Sequence, residues 1–399
     1  MARQDRLAVD GGDPVRPPER RIVFHRPWVG VEEEARCTGA LRALRLVGNG
    51  PEGKRFQERL RALLGGWHVF FTPSCTAAFE MALMGLDLPP GAEVVCPAFT
   101  YPSMTNAIVN AGLTLRMIDV DPGTFMIDPT LLPAACNART RAVVVVHYAG
   151  MGARMDEVNA FARVRGLVVI EDAAQGIGAA YRGRPLGTLG DLGCISFHAT
   201  KNLTTGEGGA LCVPIEHLAR RFEILHEKGT DRAAFLRGEV DKYTWVDRGG
   251  SFVQSDLLAA LGLAQMDRLG EINRRRQGVA RRYLDSLRDL EAPGAFALPR
   301  VPEGTTEPNW HIFALRVDTA RRDRFVKALK AEGIDASTHY EPLHLSPFAR
   351  SRLGTGPGLL PVTEEICGTL VRLPIWPQMT DEDALDVVRA VRKVHVGLA

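Results

Sequence analysis

The chain has 399 residues, 45% of them hydrophobic, which is enough to fill a large core in one big domain with a smaller companion. Lysine and arginine number 49 against 47 acidic residues, and a net charge of +2 gives no reason to expect nucleic acid or a membrane surface as partner. The seven cysteines are scattered and form no C-x-x-C pair, which argues against a disulfide framework and a zinc site and fits a reducing cytoplasm.

The first segment, "MARQDRLAVDGGDPVRPPER", has no apolar stretch long enough for a signal peptide, and no later run has the length of a membrane span. It reads as an arm lying on the surface or on another subunit. From about residue 30 to about 215, apolar runs alternate with helical patterns. The runs predict strands over 68–71, 93–98, 115–120, 142–147, 167–172, 194–198 and 209–213. Helical patterns such as "CTAAFEMALMGLDL" and "RMDEVNAFARVRG" lie between them, so the expected class is α/β with a mostly parallel sheet covered on both faces. "AVVVVH" and "LVVIED" are apolar almost throughout, as central parallel strands should be. A large domain over 1–254, arm included, is followed by a long helical connection over 255–290. The remainder, 291–399, reads as a small α/β domain: strand "WHIFALRV", helix "ARRDRFVKALKAEG", strand "DASTHY" and a terminal helix from Thr380.

In an open parallel sheet, ligands gather at the carboxyl ends of strands, and the reactive residue types of this chain fall there. "TPSCTAAFE" opens a helix after the first strand; Ser74 can cap it, or the free N–H groups at its start can bind an anion. "VIEDAAQGIGA" ends the most apolar strand with Glu171 and Asp172, followed by Gln175. Asp172 either caps the next helix or meets a bound cation, since a buried carboxylate needs a partner. The stretch lacks G-x-G-x-x-G, which speaks against a dinucleotide fold. "SFHATKN" places Ser196 and Lys201 after another strand. A single lysine is ordinarily a solvated charge, but an anion-binding turn, a strand-end aspartate, a serine and a lysine on one sheet edge together describe a site for pyridoxal 5'-phosphate. That cofactor needs an amine for covalent attachment, a cradle for its phosphate and an acid that keeps its ring nitrogen protonated. No cluster reads as a metal site.

"EDAAQGIGAAYRGRPLGTLGDLGCISFHATKNLTTGEGGAL" resembles the signature of the DegT-type nucleotide-sugar aminotransferases, a branch of the fold-type I pyridoxal phosphate enzymes, and the similarity runs from "GNGPEGKRFQ" to "LPIWPQMT". The resemblance implies that Lys201 carries the cofactor, Asp172 faces its ring nitrogen and Gln175 its phenolic oxygen, while Thr76, Ala77 and Ser196 hold its phosphate. Tyr101 takes the place of the aromatic that stacks on the ring; an ordinary core aromatic is the other reading. The related sugar 3-dehydratases carry histidine where Lys201 stands. "HYEPLHLSP" resembles the family's Tyr-x-Pro-Leu-His segment and directs His344 to the sugar nucleotide; His311 in "NWHIF" is a second candidate, and a structural histidine is the alternative for both.

Residues 227–260 resemble dTDP-4-amino-4,6-dideoxygalactose transaminase and its relatives more narrowly. The implied reaction moves an amino group from L-glutamate to C4 of dTDP-4-keto-6-deoxy-D-glucose, giving a gluco or galacto aminosugar, in a cytoplasmic homodimer with shared sites. The alternatives are amination at C3 of a 3-keto isomer, a catalytically silent cofactor-binding regulator, and a non-enzymatic interaction protein. Ser251, Phe252 and Val253 stand where many members have Asn-Tyr-Arg, and Asp231 where close relatives often have asparagine. The cross-subunit phosphate contact is therefore left unassigned.

Overall fold

The computed structural model describes residues 6–44 and 46–398. Seven strands form the central sheet: β1 (His68–Thr72), β2 (Glu93–Pro97), β3 (Thr114–Ile118), β4 (Thr140–Val146), β5 (Val168–Asp172), β6 (Leu192–Ser196) and β7 (Gly209–Val213). Their order is β1-β7-β6-β5-β4-β2-β3, and β7 alone runs against its neighbours. Alternation within β4 explains why the sheet needs cover on both sides. Val143 and Val145 belong to one buried cluster, Ala142 and Val144 to the other. Each such valine contributes roughly 1.5–3 kcal/mol on burial.

Helices α1 (Val31–Arg42) and α2 (Pro51–Leu63) precede the sheet, and α3 (Cys75–Leu86) leaves β1 directly. Helix α4 (Pro102–Asn110) follows β2, α5 (Met155–Arg165) lies between β4 and β5, and α6 (Glu216–His226) follows β7. The 32-residue helix α7 (Asp256–Leu287) packs on α1 and α2 at one end. At the other it meets the small domain's last helix, α8 (Asp381–Gly397). Thr380 caps that helix: its hydroxyl accepts from the Asp383 N–H at 3.1 Å, and the Asp383 carboxylate accepts from the Thr380 N–H at 3.0 Å.

One feature of the small domain differs from the sequence expectation. Its sheet has the order Phe296–Ala297, Phe313–Val317, Leu370–Leu373, so the third strand is the short run before Pro374 and not "DASTHY". Of residues 335–340 only Ser337 bridges a neighbour, Arg372, and His339 and Tyr340 turn into the central cavity. The arm, for which the sequence left the surface or another subunit open, packs against the small domain of its own chain. Arg16 pairs with Asp383 at 2.9 Å and with Asp386, and Ile22 bonds to Gly333 and Asp335 at 2.9 Å each.

Candidate functional site

The sheet register places Gly209 of β7 opposite both Thr72 and Ser196, so the ends of β1 and β6 meet across one strand. A methyl group on Gly209 would lie 2.3 Å from the Cys75 nitrogen and the Ser74 carbonyl carbon. Glycine is what lets the start of β7 pass beneath the first turn of α3. A cavity of about 580 Å³ opens above this junction and is shared by the large domain, the small domain and the arm.

On its floor, Ser74 Oγ accepts from the Ala77 N–H at 3.0 Å, and the Thr76 hydroxyl donates to Ser103 Oγ at 2.8 Å. The sequence left capping and anion binding as alternatives for this turn, and its geometry serves both. Ser74 caps the helix, while the Cys75 and Thr76 amides lie in the first turn, where no intrahelical acceptor exists. Ala77 does not line the cavity, its N–H being committed to Ser74, whereas Thr76 and Ser196 do line it.

Glu171 and Asp172 leave β5 on opposite faces. Glu171 is fully buried in a structural knot: it accepts the N–H groups of Gly187 at 2.8 Å and of Leu189 and Gly190 at 2.6 Å. It also lies 2.7 Å from His147 Nε2. His147 Nδ1 accepts from the Ala153 N–H at 3.2 Å, so Nε2 carries the proton that Glu171 receives. Asp172 faces the cavity with one N–H donor, that of Ala174 at 3.0 Å. Burial raises its pKa, against the pull of the Ala174 N–H, Lys201 and His147. Lys201 is half-buried because the cavity opens onto it, yet the surrounding protein dehydrates its ammonium and lowers its pKa, opposed by Asp172. A buried carboxylate short of a cation, an amine whose charged form is disfavoured and free amides at a helix start fit pyridoxal phosphate on every one of its reactive groups.

Gln175 Oε1 accepts from the Ala149 N–H at 2.6 Å, and its Nε2 donates to the Tyr340 hydroxyl at 3.3 Å. Tyr101, before α4, lines the cavity and is 65% exposed, which excludes the core-aromatic reading. His311 also lines the cavity. Its Nδ1 lies 3.0 Å from Asn202 Oδ1, and burial together with Lys201 and Arg276 drives its pKa well down. His344 is the correction. The structure does not bring it to the cavity: it is fully buried, with Nε2 2.9 Å from Glu364 Oε1, and is the structural histidine that the sequence offered as the alternative.

Sequence reasoning missed most of the opposing wall. Phe24 and His25 of the arm, His339, Arg372 and Ile375 line it; His339 and Ile375 stand in segments that carry the resemblance, which gives them no role, and no motif marks the other three. Arg372 donates to the Thr338 carbonyl at 3.2 Å and to Ser337 Oγ at 3.0 Å. Among the described residues it has no carboxylate partner. Also missed was a polar knot behind Lys201, which the Asn in "TKN" could have signalled. Asn202 Nδ2 donates to Asn273 Oδ1 at 2.8 Å and to the Asn309 carbonyl at 3.0 Å, tying the lysine loop to α7 and the domain junction.

Comparison with known proteins agrees with this geometry. A family model described as the DegT/DnrJ/EryC1/StrS aminotransferase family matches residues 28–392. The spore coat polysaccharide biosynthesis protein SpsC of Bacillus subtilis is 36% identical over 384 residues, 94% of this chain and 97% of SpsC. Among solved structures, DesV of S. venezuelae is 33% identical with a TM-score of 0.84, covering 91% of this chain and 94% of DesV. DesI, solved in the presence of its TDP-sugar product, is 29% identical with a TM-score of 0.85, covering 99% and 98%.

Proposed function

The chain belongs to the DegT/DnrJ/EryC1/StrS family and is a pyridoxal phosphate-dependent sugar aminotransferase, and from that premise we propose that it transfers the amino group of L-glutamate to C4 of dTDP-4-keto-6-deoxy-D-glucose. The observation that carries the reading is the meeting of Lys201 and Asp172 on one cavity floor beside the start of α3. DesI, which covers almost the whole chain, has a TDP-sugar product, and this supports the sugar class. Amination at C3 of a 3-keto isomer is the second reading.

Pyridoxal phosphate, when bound, supplies an aldehyde that exchanges amines and a ring that spreads the charge left at carbon after proton loss. The chain supplies the rest. Lys201 would hold the cofactor covalently, and its freed amine would take the proton from the donor's Cα and deliver it on the far side of the transferred nitrogen. The lowering of its pKa suits that task, because an amine whose charged form is disfavoured is more readily free to act as base. Asp172 holds a proton at the ring nitrogen. Thr76, Ser196 and the first-turn amides of α3 bind the phosphate, Gln175 faces the phenolic oxygen, and Tyr101 covers the ring. His311 lies within reach of the sugar, and Arg372 offers a desolvated cation to an anionic substrate group.

A homodimer is part of the proposal. Residues 236–246 expose Leu236, Tyr243, Val246 and Trp245, the last at 78%, and such a run of exposed apolar side chains supports a partner subunit there. No described helix is long and apolar enough to cross a membrane, and the reading remains a cytoplasmic enzyme.

The test is incubation of the cofactor-loaded protein with L-glutamate and dTDP-4-keto-6-deoxyglucose. NMR couplings of the product report which carbon bears nitrogen and with which stereochemistry. Recovery of unaltered keto sugar, under conditions in which glutamate converts the cofactor to its amine form, defeats the C4 assignment. Failure of glutamate to convert it at all favours the silent regulator.

A further inference from the structure

The arm segment Ile22–Arg26 joins the two sides of the cavity. Toward the small domain it is anchored four times. Ile22 makes two backbone hydrogen bonds, and the Trp376 indole N–H donates to the Val23 carbonyl at 3.2 Å. The Arg372 guanidinium lies 4.7 Å from the Phe24 ring centre, and Arg26 lies 5.9 Å from that of Trp376. Between these anchors His25 reaches the other way, its Nε2 3.0 Å from the carbonyl oxygen of Ala199, two residues before Lys201.

That contact fixes the tautomer. A carbonyl only accepts, so Nε2 carries the proton. Burial, then Arg276, push the imidazole down to about 4, and His198 and Lys201 push the same way, so the ring is neutral at neutral pH. A neutral imidazole protonated at Nε2 has an unprotonated Nδ1, and among the described residues that nitrogen has no partner. Such a nitrogen offers nothing to phosphate or carboxylate, which bring only acceptors. It matches a hydroxyl. On the floor, Gln175 Oε1 is engaged by Ala149 and Asp172 by Ala174, while His311 Nε2 and the Glu207 carboxylate are further acceptors that line the cavity.

We infer that His25 is a specificity-determining residue, its Nδ1 accepting a hydrogen bond from a hydroxyl of the keto sugar, with the arm segment forming the sugar-side wall of the site. The inference rests on the sugar aminotransferase reading above and adds to it a named contact.

His25→Ala should raise the KM for dTDP-4-keto-6-deoxyglucose about 10- to 100-fold, the loss of one hydrogen bond with its partner stranded. The single-turnover conversion of the cofactor by L-glutamate should be unchanged. His25→Asn, which keeps an acceptor, should recover part of the sugar KM. A keto sugar lacking the hydroxyl next to the carbonyl should lose the same factor on the unmodified enzyme and little on His25→Ala. An unchanged sugar KM in His25→Ala, or a glutamate half-reaction slowed equally, overturns the inference alone. An unmodified enzyme that aminates no keto sugar overturns the reading of the site and this inference with it.

Discussion

The floor of the cavity and the wall above it are built by different rules. The floor consists of residues lying within a few positions of a strand end: Thr76 after β1, Asp172 and Gln175 at the end of β5, Ser196 and Lys201 at the end of β6. Each is delivered by its own strand, and the sheet register aligns the strands. The wall draws on residues 24–25, 311–312, 339–340, 372–373 and 375, an arm segment joined across almost 300 positions to three separate stretches of the small domain by long-range packing. On the proposed function the floor holds cofactor chemistry that every substrate needs, while the wall has the freedom to select substrates. Substitutions in the floor should therefore depress turnover, and substitutions in the wall should depress affinity.

Lys201→Ala puts the greatest strain on this contrast. On the proposed function it removes both the covalent anchor and the proton carrier, the second alone accounting for a factor of about 10²–10⁴. No amino transfer should be detectable by product NMR, and no cofactor should remain on the tryptic peptide containing residue 201 after borohydride treatment; labelling of a different lysine would displace the assignment.

Asp172→Asn should lower turnover on the order of 10²–10³-fold with a smaller change in either KM. The cofactor-free protein should behave in the opposite sense. Because burial raises the folded-state pKa of Asp172, the native protein binds this proton more tightly than the unfolded chain does, and the charged carboxylate costs stability above that pKa. Cofactor-free Asp172→Asn should accordingly melt above the unmodified protein at neutral pH. The gap should close as pH falls below the unfolded value of about 3.9, where both states are protonated. Melting curves at several pH values decide it, and a variant that is less stable at neutral pH contradicts the cost ascribed to that charge.

For the wall, Arg372→Gln should weaken an anionic substrate about 10- to 100-fold in KM, the worth of a charge-assisted hydrogen bond, with kcat altered less. Steady-state kinetics with each substrate varied in turn show which anion it serves; a fall in kcat at unchanged KM would move Arg372 into the chemistry.

His344 should have the smallest effect on activity. Removing it takes from Glu364 the hydrogen bond that does most to hold its pKa down, leaving the backbone N–H groups of Gly358 and Leu360, and His344→Ala should cost about 1–3 kcal/mol of stability. Denaturant unfolding measures the loss. A large rise in sugar KM with stability intact would restore the residue to the site.

The histidines show how far sequence reasoning reaches. His344 sits in a motif-like segment and is structural, whereas His25 sits in none and faces the cavity. Nothing within a few residues of either distinguishes them. What separates them is which distant segment each one meets: Glu364 for His344, the Ala199 carbonyl for His25. "DASTHY" misleads for a related reason, since its alternation fits a strand but its last two side chains are drawn into the cavity.

The chain's order of residues by itself determined the parallel sheet, the connection of each strand to its helix, and therefore the lysine, aspartate, glutamine and hydroxyl set of the floor. Those depend on burial periodicity and on geometry within a few bonds of a strand end, both of which are written locally. Only the tertiary structure decided that the arm folds back over the small domain, that Arg372 and His25 look into the site, and that Glu171 and Asp172, neighbours in sequence, serve a loop and a cavity respectively. Such contacts arise where surfaces distant in sequence happen to be complementary, and a linear pattern carries no record of which surfaces will meet.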